Sequence, residues 1–188
     1  MGKSTVGAMF AALGVPVFDS DRAVHEFYAS ADAGRVEAEF PGVLRDGAID
    51  RRKLAEQVLG DDDAMARLEG IVHPMVEAAR ETFVRRAAAE HARRVVVDSP
   101  LLLETGRECS VDLIVVVSAP PAVQEARALA RPGMTQQRFH SLLARQTPDS
   151  EKRRRAHYVV DTNGALERTN NQARDLLRST AGMTGRSL

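Results

Sequence analysis

Short runs of β-branched and apolar residues punctuate this chain at 15–19, 94–98, 113–118 and 158–162, separated by longer stretches rich in Ala, Glu and Arg. That rhythm predicts strands alternating with helices, the pattern of an α/β protein with a parallel sheet. The last three runs are almost continuously apolar, so they are expected to be covered on both faces, as parallel strands flanked by helices are. Between the first and second runs the spacing turns helical: Leu68, Ile71, Val72, Met75 and Val76 fall on one helix face. Pro41-Gly42, Asp46-Gly47, Gly60 and Pro74 mark loop or helix boundaries inside that stretch. A second helical stretch runs from Pro121 to about Arg155 and breaks at Pro132-Gly133. Residues 165–179 read as a polar helix, followed by a tail expected to fray.

Composition narrows the picture. The chain has 188 residues, 44% of them hydrophobic and 28% charged, which suits one compact domain with a real core rather than a disordered chain. Its 26 basic residues balance 26 acidic ones. A broad basic face for nucleic acid is therefore not expected. No apolar run approaches the roughly 20 residues that span a bilayer, and the N-terminus lacks the regions of a signal peptide. A cytoplasmic protein with neither nucleic-acid nor membrane partners is expected. Cys109, the single cysteine, has no disulfide partner in the chain and no Cys or His nearby at metal-ligand spacing.

The candidate chemistry begins at the first residues. Gly2-Lys3-Ser4-Thr5 is the second half of the phosphate-loop pattern G-x-x-x-x-G-K-[ST]. In a complete loop, backbone N–H groups at a helix N-terminus cradle phosphates, a lysine ammonium reaches the β and γ oxygens, and a hydroxyl ligates Mg²⁺. Lys3 and Ser4 fit the last two roles. Four residues match by chance often enough that context must decide. Here a helix is expected over 6–13, then a strand running into Asp19-Ser20-Asp21. Ligands of open α/β sheets gather at the carboxyl ends of strands, so Asp19 and Asp21 are placed for work on a substrate or its metal. Asp19 equally suits capping the next helix. His25, four residues after Asp21, reads as a packed or substrate-facing side chain rather than a metal ligand.

Taken in order, these residues resemble the dephospho-CoA kinases, a nucleoside-monophosphate-kinase-like branch of the P-loop NTPases. The resemblance covers nearly the whole chain. It includes Gly14-Val15-Pro16 leading to Asp19-Ser20-Asp21, then Asp46-Gly47 with Asp50-Arg51, and Leu68-Glu69 through His73-Pro74. It continues with Asp98-Ser99-Pro100-Leu101-Leu102-Leu103-Glu104, with Gln124, Arg127, Arg131 and Gln146, and with Val159-Val160-Asp161. The resemblance implies a three-layer P-loop fold with a parallel sheet, as a single domain over 1–188. Its nucleotide-binding core would be 1–28, 93–120 and 156–188, its helical substrate-binding region 29–92, and its helical lid 121–155.

The same resemblance implies transfer of the ATP γ-phosphoryl group to the ribose 3′-hydroxyl of dephospho-CoA, with ATP and Mg²⁺ required; it leaves the oligomeric state open. Asp21 would be the catalytic carboxylate, aided by Lys3 and Arg131, while Gly2, Lys3, Ser4 and Thr5 would hold the nucleotide. Asp19, Asp21, His25, His73, Leu101 and Glu104 would meet the substrate, and Ser4 and Asp98 the metal. Plainer readings stay open for several: Asp98 suits capping a turn, Glu104 a solvated helix carboxylate, and His73 a packing role beside a bend at Pro74. Of Arg127, Arg131, Arg138 and Arg145, most read as a solvated helix face. Arg127 and Arg131 are four apart, hence on one helix face before the Pro132-Gly133 break, and Arg131 is favoured as the phosphate contact. Lys152 to Arg155 reads as a soluble helix end or a weak phosphate-attracting patch.

Two features depart from the resemblance. The loop's first half and the first strand, central in the implied strand order 2-3-1-4-5, are absent from this sequence. Leaving that strand out would cost about 1–3 kcal/mol per unpaired buried backbone group, so a true start about a dozen residues upstream is expected. An upstream reading frame without an apolar strand and G-x-x-x would contradict that. The second is Ala156-His157, in place of the Ala-Asp of the resemblance, which would make a helix-cap or lid contact sensitive to pH in the imidazole range. Two other functions remain: a different small-molecule P-loop kinase, or a non-catalytic binder of the CoA precursor.

Overall fold

The computed structural model describes residues 2–144 and 146–185, so Arg145 and the last residues of the tail expected to fray lie outside the described residues. In chain order the elements are α1 (Lys3–Ala12), β1 (Val17–Asp19), α2 (Ser20–Tyr28), α3 (Gly34–Glu39), β2 (Leu44–Arg45), β3 (Ala48–Ile49), α4 (Arg51–Val58) and α5 (Asp62–Ala89). There follow β4 (Val96–Asp98), β5 (Val115–Ser118), α6 (Pro121–Leu129), α7 (Gln136–Ala144), α8 (Asp149–Arg155), β6 (Tyr158–Asp161) and α9 (Leu166–Ser179). They form two compact units, one of Phe18–Ser99 and one of Met1–Val17 with Pro100–Leu188.

The unit Phe18–Ser99 is mainly helical and has its own core. Phe27 and Tyr28 of α2, Val36 of α3, Leu54 and Val58 of α4, and Leu68 and Val72 of α5 are buried together, with Ile71, Met75 and Val76 packed against them. The helical spacing read at 68–76 is thus the inner face of α5. Aspartates start these helices: Asp19 accepts the Arg22 N–H at 3.0 Å, and Asp61 accepts the Ala64 N–H at 2.9 Å. Each supplies an acceptor to a first-turn donor that the helix itself cannot satisfy. Glu37 accepts from Gly42 N–H and, through its other oxygen, from Leu44 N–H, and these bonds hold its carboxyl below the usual range.

Two expectations change here. Asp46-Gly47, read as a loop boundary, is the tip of a β2–β3 hairpin pairing Leu44 with Ile49 and Arg45 with Ala48. Both tip residues have positive φ, 50° and 81°, as a two-residue hairpin turn requires. Pro74, read as a helix boundary with a bend at His73, lies inside the continuous helix α5. The proline ring removes one helical donor and crowds the carbonyl four residues back. That carbonyl belongs to Gly70, and the packing of α5 against α2, α3 and α4 outweighs the local loss.

In the other unit, β5 and β6 pair in parallel, with Val115 opposite Tyr158 and Ser118 opposite Asp161. The strand β4, which lies in the unit Phe18–Ser99, pairs instead with β1. Each of the four strands is shorter than its apolar run, and β1 starts only after Pro16, which has no N–H for a ladder. Covering on both faces is not what the strands show. Along β5, Val116 and Ser118 are buried while Val115 and Val117 are only half-buried. Among the described residues β5 and β6 each have a single strand partner, which leaves an open edge on either side. Packing of α1 on α9 buries Val6, Phe10, Ala173 and Leu176.

The stretch from 121 to 155 breaks twice, at 130–135 and again before α8, rather than once. Pro148 at the N-cap of α8 explains the second break, since the residue before a proline is pushed out of helical geometry. Among the described residues, the hydrogen bonds of His157 go neither to a lid residue nor to a helix end. Its Nδ1 accepts the Ile114 N–H at 3.0 Å and its own N–H donates to the Ile114 carbonyl at 2.9 Å, joining the approaches to β5 and β6.

Candidate active site

Helix α1 starts directly after Gly2, whose φ of 93° is left-handed and natural only for glycine. Gly2 gives the helix no side-chain cap, and Lys3, Ser4 and Thr5 lie in the first turn, at the positive end of the helix dipole. Beside it is a pocket of about 210 Å³. Gly2, Thr5 and Val6 form one wall, Arg127 of α6 a second, and Thr162, Gly164, Leu166 and Thr169, from the turn after β6 and the start of α9, the third.

The Arg127 guanidinium is fixed by Thr162, donating to its Oγ1 at 3.1 Å and to its carbonyl at 2.9 Å. Thr162 is in turn tied to β5: its N–H and its hydroxyl both donate to the Ser118 carbonyl, at 2.9 and 3.1 Å. The arginine is therefore locked against the turn, leaving a rigid cationic wall rather than a mobile side chain. A helix N-terminus and a guanidinium at one small pocket suit an anionic ligand, while Lys3 and Ser4 lie in the first turn of α1 outside the pocket lining.

The remaining expected residues of this unit stand apart from the pocket lining. Arg131, expected on one helix face with Arg127, lies beyond the end of α6, exposed, in a turn where its carbonyl accepts the Met134 N–H. Pro132 explains this, since it disfavours helical geometry at Arg131. Leu101 is exposed in a run of turns over 100–106 that also holds Glu104. Glu104 is not a solvated helix carboxylate. Its Oε1 meets the Lys152 ammonium at 3.0 Å and accepts the Thr147 N–H at 2.9 Å, with the two side chains 14% and 11% exposed. Burial pushes the Glu104 carboxyl up, but the bonds from Lys152 and Thr147 outweigh it and hold the group below its ordinary value. Lys152 and Arg155 of the basic run are thus ion-pair partners, of Glu104 and Glu108, rather than a solvated end.

Within Phe18–Ser99, Asp19 ends β1 and caps α2, while Asp21 in the first turn and His25 one turn later are exposed on α2. His73 is half-buried on α5. Asp98, the last residue of β4, is buried at 7% exposure. The residues missed by sequence reasoning are the pocket wall after β6. Thr162-Asn163-Gly164 carried a signal, a turn tripeptide directly after a strand, where ligands of α/β sheets gather.

The family model described as Dephospho-CoA kinase matches residues 1–168. The chain belongs to the dephospho-CoA kinase family. A dephospho-CoA kinase of Rhodopseudomonas palustris (strain HaA2) is 48% identical over 186 residues, which are 99% of this chain and 94% of that one. A second, from Mesorhizobium japonicum, is 47% identical over 98% of this chain and 94% of its own. Among solved structures, TT1252 from Thermus thermophilus matches with a TM-score of 0.80 at 32% identity, covering 98% of this chain and 93% of that one. The dephospho-CoA kinase from Campylobacter jejuni matches at 0.70 and 22% identity over 97% and 94%, a likeness of fold. The α/β fold is that of the P-loop NTPases, and the family membership implies nucleotide use. No helix among the described residues is long and apolar enough to cross a membrane.

Proposed function

We propose that this chain is a cytoplasmic enzyme that transfers the γ-phosphoryl group of ATP to the ribose 3′-hydroxyl of dephospho-CoA, giving CoA and ADP as the last step of coenzyme A biosynthesis. The observation that carries the reading is the pocket of about 210 Å³ that opens beside the Gly2-Lys3-Ser4-Thr5 helix start and is walled by the clamped Arg127. On this reading ATP lies against that pocket, with its phosphates on the N–H groups of the first turn of α1 and on the Lys3 ammonium.

In the transfer, the bond between the γ-phosphorus and the β–γ bridging oxygen breaks, and a bond to the ribose oxygen forms. Asp21 orients the hydroxyl and takes its proton late, because phosphoryl transfer passes through a loose transition state with little need for a strong base. An exposed carboxylate suits that task. Arg131, on an exposed turn, comes over the transferred group and offsets its charge. The segment 29–92, with His25 and His73, and the turn carrying Leu101 and Glu104 take the CoA precursor, and 121–155 serves as the lid over the core segments 1–28, 93–120 and 156–188.

Ser4 and Asp98 offer oxygen donors of the kind magnesium takes. Mg²⁺ keeps most of its water and takes one or two protein oxygens beside substrate phosphates, so it needs no cluster of side chains. The described residues contain no group of three or more His, Cys, Asp or Glu suited to a metal, while Ser4 offers an exposed hydroxyl and Asp98 a carboxylate at a strand end. Those two would hold the ion, directly and through water, and the bound ion supplies charge neutralisation at the β and γ oxygens. The test is ADP release coupled to dephospho-CoA, with adenosine monophosphate and shikimate as rival acceptors. Turnover with dephospho-CoA alone supports the reading. Turnover with a rival acceptor refutes it, and so does binding of dephospho-CoA without turnover.

A further inference from the structure

The turn that walls the pocket has a second support, which enters from α9. In the parallel pair, the Thr162 N–H bonds across to the Ser118 carbonyl. Alternate residues of a strand turn their backbone groups to opposite edges, so Asp161, just before Thr162, directs its N–H and C=O away from β5. That edge has no strand partner among the described residues. The Gln172 carboxamide occupies it: Oε1 accepts the Asp161 N–H at 2.9 Å, and Nε2 donates to the Asp161 carbonyl at 2.8 Å. One side-chain amide thereby stands in for a neighbouring strand at a single residue. The Asp161 carboxylate continues the frame by accepting the Asn163 N–H at 2.8 Å, which shapes the turn leading to Gly164.

We propose that Gln172 is a positioning residue for the nucleotide pocket, holding Asp161 so that Thr162 presents its hydroxyl and carbonyl to Arg127 and Gly164 lies at the pocket wall. It touches no reacting group and acts through Thr162. The inference rests on the reading that ATP occupies this pocket. Its consequence is selective. Without the amide, the Asp161 N–H turns to water and its carbonyl keeps only a long bond from the Thr169 hydroxyl at 3.5 Å, so the 162–164 turn loosens and Arg127 loses the fixed geometry of its two bonds. ATP affinity falls, while the site for the CoA precursor keeps its shape.

The experiment compares steady-state constants for the wild type, Gln172→Met, which keeps the bulk and removes both bonds, and Gly164→Val, which crowds the pocket itself. The Gly164 backbone accepts a side chain, since a Cβ there meets only Arg168 Cδ at 3.5 Å. The expected result for Gln172→Met is a KM for ATP raised about three- to tenfold, the range one or two lost hydrogen bonds produce, with the KM for dephospho-CoA within twofold. Gly164→Val raises the KM for ATP as well. An unchanged KM for ATP in Gln172→Met beside a raised one in Gly164→Val overturns the positioning role. Unchanged values in both overturn the pocket reading beneath it. A parallel rise in both KM values of Gln172→Met, as from a general loss of structure, also overturns it. If Gln172→Met does not fold, Gln172→Glu, which keeps the acceptor and loses the donor, is read by the same criteria.

Discussion

The buried pair of Glu104 and Lys152 allows a quantitative prediction. At 3.0 Å the charges attract by about 5 kcal/mol at an effective dielectric near 20, and desolvation of two nearly buried groups offsets much of this. Removing only one partner strands the other, which costs about 3 kcal/mol. Lys152→Met leaves Glu104 with backbone donors alone, those of Thr147 and of its own residue, and Glu104→Gln keeps an acceptor for the Thr147 N–H but leaves the ammonium facing neutral amides, including that of Gln146 at 3.3 Å. Each single variant should therefore lose about 3 kcal/mol in urea unfolding, or roughly 10 °C in Tm for a chain of this size. The double variant should lose no more than the worse single, because no charge is left stranded. The sign with pH is fixed by the lowered Glu104 carboxyl. A folded-state value below the unfolded one contributes stability above the ordinary carboxylate range, lost as pH falls through the folded value. The wild-type advantage over Lys152→Met should shrink on acidification in that window and not between pH 6 and 8. Single variants within about 1 kcal/mol of wild type, or losses that simply add in the double variant, would refute the reasoning.

Asp21→Asn should lower kcat about a hundredfold or more while leaving ATP affinity within about threefold, since a positioned carboxylate contributes 10²–10⁴ to proton transfer; kcat near wild type would remove Asp21 from the mechanism. Asp61→Ala should destabilise the unit Phe18–Ser99 by about 1 kcal/mol through loss of the α5 cap, measured by urea unfolding. Gly47→Ala should cost about 1 kcal/mol by the same measurement, because φ is 81° there although the space around a Cβ is open; unchanged stability would show the hairpin tip to be unconstrained.

Much of the fold was legible because its signals are local. Asp19 falls just before a helix, and capping needs only the next three residues. The 68–76 spacing places its own face inward whatever it packs against. That a helix starts at Gly2-Lys3-Ser4-Thr5 and that a strand ends at Asp19 could be read because both patterns are defined within a few residues. Local rules also set the limits. Pro74 carries a helix-breaking signal that tertiary packing of α5 overrides. The Asp46-Gly47 hairpin escaped because its two-residue strands are too short to show alternation.

The amino-acid order alone thus determined the alternation of strands and helices, the family resemblance and the residues with chemistry to offer, since each depends on neighbours along the chain. Only the tertiary structure decided which distant groups share a bond. Lys152 takes the Glu104 carboxylate, Arg127 is clamped by Thr162, and Gln172 stands in for a strand beside Asp161. Such partners have no periodicity, because a long side chain reaches whichever unsatisfied backbone group or charge the packing of whole elements brings within about 3 Å.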